Sequence, residues 1–62
     1  MKLVLNMDLD NDSFVGNKKK REISRLLEEV ATKFRAMPVI RSGERIGMMD
    51  SNGNNVGHAS IY

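Results

Sequence analysis

Asp8, Asp10 and Asp12 stand at alternate positions, the spacing with which carboxylates open a calcium-binding loop. The match ends there. Ser13 occupies the place where such a loop needs its turn glycine, and Lys19 falls where the closing bidentate acid belongs. The stretch therefore reads as a solvated loop with local Asx turns, and no metal is expected. Lys18, Lys19, Lys20 and Arg21 form the one basic concentration, joined by Arg25 and by Arg41 and Arg45 further along. At the start of a helix, lysines, free backbone N–H groups and the helix dipole all favour phosphate or another anion. The plain alternative is a solvated helix end that aids solubility. His58 stands alone, with no Cys, Ser or acid placed beside it in a nucleophile pattern, so it reads as a surface strand histidine. No acid, base and nucleophile converge. We expect no enzyme and no cofactor.

The elements that must position these groups belong to one small domain of 62 residues. A chain this short buries only about 60% of the surface it exposes when unfolded, and it usually needs a disulfide, a metal or a partner chain. Cysteine is absent, which excludes disulfides and thiolate metal sites and leaves self-association. The absence also suits a reducing cytosol, so a cytoplasmic location is expected. No run is long and apolar enough for a membrane span, and residues 1–12 lack the pattern of a signal peptide. A formal charge of +2 permits nucleic acid as a partner without arguing for it.

The organising element is a helix over 17–35. Ile23, Leu26, Leu27, Val30, Ala31 and Phe34 recur with helical spacing and make one stripe, between residues that are nearly all charged. Asn17 is the expected N-cap, its side chain accepting from a first-turn N–H. The lysines that follow oppose the helix dipole. Burying the larger residues of the stripe contributes on the order of 10 kcal/mol before entropy is charged against it. Leu27→Asp is accordingly expected to unfold the domain. Pro38 stops the helix near Ala36, since the residue before proline leaves the α region.

Around that helix the chain alternates like strands. Residues 2–9 place Leu3, Leu5, Met7 and Leu9 on one side. Residues 10–16 form a loop whose Phe14 folds back as a lid on the core edge. Residues 36–43 connect, with Val39 and Ile40 against the sheet edge. Residues 44–62 form a hairpin about Asn52-Gly53, a pair suited to a type I′ turn. The preferred register sets Ile46 against Ala59, Met48 against Gly57 and Met49 against Val56. A three-residue loop with a bulge at Gly53 is the alternative. The expected class is α+β: β-α-β-β, a three-stranded antiparallel sheet with one helix packed on one face. In that layout Val4, Met49, Val56, His58 and Tyr62 share the uncovered sheet face, the expected surface for self-association or a partner.

The alternating strand, the Asp10-Asn11-Asp12-Ser13-Phe14 loop, the single amphipathic helix and Asp50-Ser51-Asn52-Gly53-Asn54-Asn55-Val56-Gly57 resemble a group of very short phage and prophage proteins of this plan. Those begin with a strand running into an Asp-Asn-x-x-Phe-like segment and end in Asp-x-Asn-Gly-Asn-x-Val-Gly. The likeness spans nearly the whole chain. The run Lys18–Arg21 departs from it, because the helix there usually starts more acidic. The likeness implies a viral accessory protein in the bacterial cytoplasm and no catalytic residues. The leading expectation is a non-enzymatic homodimer that blocks or sequesters a host factor, such as an antiviral defence component or its nucleotide signal. Lys18, Lys19, Lys20, Arg21 and Arg25 would meet an anionic partner. The alternative is a small nucleic-acid-binding regulator using the same basic residues.

Overall fold

The computed structural model describes residues 1–10 and 14–62. The elements run in the order strand β1 (Leu3–Met7), helix α1 (Lys18–Ala36), strand β2 (Arg45–Met49) and strand β3 (Asn55–Ile61). The strands form one antiparallel sheet in the order β1-β3-β2, with the helix on one face. This is the α+β architecture expected from the alternation and the stripe.

Helix α1 begins without the cap assigned to Asn17. That residue is itself helical, at φ −67° and ψ −15°, and its side chain makes no capping bond. Gly16 takes a positive φ of 60°, which turns the chain into the helix. The Lys18 and Lys19 amides then donate to the Val15 and Gly16 carbonyls, at 3.1 and 3.3 Å. A backbone turn thus does the work expected of the asparagine. At the other end Met37 is extended, as a residue before proline must be, and Lys33 and Arg35 lie where the dipole favours cations.

The core is built from Phe14, Leu26, Val30, Ile46, Met48, Val56 and Ala59, with Met7, Leu9, Ile23, Phe34 and Met37 packed against it. Phe14 lies fully inside this cluster, deeper than a lid. The helix presents only part of its stripe. Leu26 is 0% exposed, but its neighbour Leu27 is 43% exposed. The helix runs closest to β2, which leaves the row Leu27, Ala31, Phe34 over the β1 side of the sheet. The expectation that Leu27→Asp unfolds the domain is therefore corrected: Leu26 is the residue whose burial holds the helix down.

The hairpin differs from the preferred reading near its tip. Among the described residues only glycines have positive φ, so Asn52 does not complete a type I′ turn. The Gly53 amide donates to the Asp50 carbonyl at 3.0 Å and the Asp50 amide to the Asn54 carbonyl at 2.8 Å, with Gly53 at φ 84°. This is the alternative, a three-residue loop with a glycine bulge. It sets Met49 opposite Asn55. A second irregularity between Met48 and Met49 restores the expected pairs Met48–Gly57 and Ile46–Ala59. Val56 is the extra residue at that step. The bulge turns it into the core, where alternation alone would have placed it on the opposite face. Gly57 then lies so close to β1 that a Cβ there would overlap the Asn6 carbonyl oxygen.

Candidate functional site

The expected anion site is only partly assembled. Lys18, Lys19, Lys20 and Arg21 are all exposed on the first turn of α1. Arg25 does not join them. Its Nε donates to Glu22 Oε1 at 2.7 Å, its Nη1 to Glu29 at 2.7 Å, and its Nη2 to the Met49 carbonyl at 3.1 Å. Arg45 sits at the far end of β2 with its guanidinium 3.1 Å from His58 Nδ1, and Arg41 precedes that strand. The fold therefore separates the cations that the sequence groups.

Glu22, one of the charged residues beside the apolar stripe, is turned inward. It is 6% exposed. Its Oε2 accepts from both the Ser51 amide and the Ser51 hydroxyl at 2.8 Å, while Oε1 holds Arg25. The Arg25 hydrogen bond first, and those from Ser51 next, hold its pKa down to about 2. The Arg25 guanidinium is shifted upward, chiefly by the same bond. Beside it, buried Asp50 accepts from the Asn52 and Asn54 amides at 2.9 and 2.8 Å. Together these groups clip the start of the helix to the hairpin tip. Ser51 against a carboxylate has the outline of a nucleophile and its base. The bonds from Ser51 and Arg25 favour the ionised carboxylate, which is a poor proton acceptor near neutrality, and they join the helix to the hairpin tip. The signal was present in the spacing: Glu22, Leu26 and Val30 are i, i+4 and i+8, one row of the helix.

The outer sheet face is more polar than expected. Val4, Ser60 and Arg45 form one cross-strand row, and Asn6, His58 and Gly47 the next. Val4 is partly exposed there, His58 is half-buried and touches Arg45, and exposed Met49 and Tyr62 stand at the margins. Val56 is in the core and leaves this set. The apolar surface lies instead on the helix side. Leu3 and Leu5 of β1 remain 49% and 45% exposed, although they point toward the face that the helix covers. Between them and the helix runs an open groove of about 460 Å³, lined by Leu3, Ala31, Phe34, Arg35, Ile40 and Ile61.

In the acidic loop, the Asp10 amide donates to Asp8 Oδ1 at 3.0 Å, the local turn expected of a solvated loop. Asp12 lies outside the described residues. Among the described residues no group of His, Cys, Asp and Glu is placed to hold a metal. No helix among them is long and apolar enough to cross a membrane. In comparisons with known proteins, the chain matches no family model, no curated protein and no solved structure.

Proposed function

We propose that this chain is a non-enzymatic interaction protein of the phage accessory kind, which self-associates and blocks or sequesters a host factor in the bacterial cytoplasm. The observation that carries the reading is the half-open apolar surface of β1 and the groove beside it. Exposed apolar groups of this extent on a small domain are characteristic of contact surfaces. The viral setting, and a defence component or its nucleotide signal as target class, rest on the likeness of the strand, loop and hairpin motifs. The test is a pull-down from host lysate with wild type and with a variant carrying Leu3→Ser and Ile40→Ser. One partner recovered by wild type and lost with the variant supports the reading. Equal recovery by both, or no partner with either, rejects it.

A second reading is favoured by one observation: four consecutive cations stand exposed with no acid in the first turn of α1. That suits a small nucleic-acid-binding regulator making phosphate contacts. Its binding must weaken steeply with salt. A gel-shift series at two salt concentrations reads this directly, and no shift at micromolar protein in low salt removes it.

A further inference from the structure

The two edges of the sheet are unlike. The residues that flank β1 bond toward the β3 side: Lys2 exchanges 2.8 Å bonds with Tyr62, and the Asp8 amide donates to Val56 at 2.7 Å. Alternation therefore aims the amides and carbonyls of Leu3, Leu5 and Met7 away from the sheet. Among the described residues no strand pairs with them. On β2 the corresponding outward residues are Arg45, Gly47 and Met49, because the Glu44 carbonyl and the Asp50 amide are bonded to the β3 side. That edge is guarded: the Met49 carbonyl is taken by Arg25, and Arg45 adds a charge. Charged groups at an edge are how sheets avoid pairing with other chains. Among the described residues strand β1 has no such guard, and its three outward-bonding residues are all apolar.

The sequence of β1 also fits itself. A two-fold axis at Leu5 sets Leu3 against the partner's Met7 and Leu5 against the partner's Leu5, the pairs whose backbones point outward. It places Lys2 opposite the partner's Asp8 and Val4 opposite the partner's Asn6. Every residue of the strand then finds a mate, and the one cation meets an anion. Moving the axis to Val4 sets Lys2 opposite Asn6, and moving it to Asn6 sets Asp8 opposite Val4. Either shift also leaves part of the strand unpaired.

We infer that two copies of this chain pair β1 against β1 about a two-fold axis at Leu5, joining their sheets into one continuous sheet. The pairing forms about six backbone hydrogen bonds and brings Leu3, Leu5 and Met7 of both copies together beside the helix groove. The inference rests on the self-association part of the proposed function and names the surface that performs it.

Cysteine scanning tests the register, because the chain has no cysteine of its own. Leu5→Cys places two thiols across the axis, with Cα atoms about 5.5 Å apart, within disulfide reach. Leu3→Cys places them about 14 Å apart, out of reach. Leu5→Cys should cross-link fully under mild oxidation, Leu3→Cys alone should not, and Leu3→Cys mixed with Met7→Cys should give the heterodimer. In light scattering, wild type should have twice the mass of one chain. Leu5→Lys, at a side chain already half open in the single copy, should have the mass of one chain and an unchanged circular dichroism spectrum. A dimer that survives Leu5→Lys and does not cross-link through Leu5→Cys overturns β1 pairing while leaving self-association standing. A single-chain mass for wild type at millimolar concentration overturns both. The pull-down still judges the host-factor reading separately.

Discussion

The two ends of α1 meet the sheet by different means. At its start, Glu22 and Arg25 hold Ser51 and Met49 through three hydrogen bonds of fixed direction, with Arg25 itself oriented by Glu22 and Glu29, over a hairpin tip organised by Asp50. At its far end, Ala31 and Phe34 face Leu3, Ile40 and Ile61 across a groove that the chain does not fill. Directional polar bonds set one position and tolerate little displacement. Apolar contact has no preferred direction, so the helix can rest on β2 and leave β1 half covered. One end of the molecule is closed by its own residues, and the other keeps an open apolar groove.

Substitutions along the helix can break this comparison. The largest effect is expected from Leu26→Ala, which empties a fully buried site common to both ends; a loss of about 2–5 kcal/mol in urea unfolding is expected. Next is Gly57→Ala, where the new methyl must displace the Asn6 carbonyl. A loss of about 3 kcal/mol should appear, with faster hydrogen exchange along β1, the strand pushed off. If exchange instead rises evenly over the molecule, β1 is not the separable side.

The clip itself is read by acid. Glu22 has a folded pKa lowered to about 2 from an ordinary 4.5, so the folded state favours the ionised form. Its stabilising contribution is fully present above the ordinary value and is lost as pH falls through the window down to about 2. The melting temperature of wild type should drop across that window more than that of Glu22→Gln, which should melt several degrees lower at pH 7. Parallel curves for the two proteins would show that Glu22 is not the group being titrated. The smallest effect belongs to Leu27→Asp. At a site 43% exposed, on the open side, urea unfolding of the single chain should change by about 1 kcal/mol or less. A loss as large as that of Leu26→Ala would mean that the groove closes in solution.

Much of the fold was legible because periodicity reports which residues share a face. The spacing of Ile23 to Phe34 located the helix, Pro38 located its end, and the alternation of Leu3 to Met7 and Ile46 to Met48 located two strands. The pairs Ile46–Ala59 and Met48–Gly57 followed from grouping apolar residues. The candidate site was less legible. Helical spacing lets Arg25 reach Glu29, but not its bonds to Glu22 and to the Met49 carbonyl across the fold, and Val56 reads as outward because a bulge inverts local parity. Glu22 sat on the core row in plain sight, but its carboxylate is acceptable there only because the Ser51 amide and hydroxyl arrive from across the fold.

What the amino-acid order determined by itself was local: the helix, the strands and the place of the hairpin turn. Each follows from backbone sterics and from the repeat of apolar side chains along the chain. What the tertiary structure alone decided was which half of the apolar stripe is covered, which cations are engaged and which sheet edge is left open. Those depend on where the helix comes to rest, and a few bonds between Glu22, Arg25 and a turn some thirty residues away fix that position.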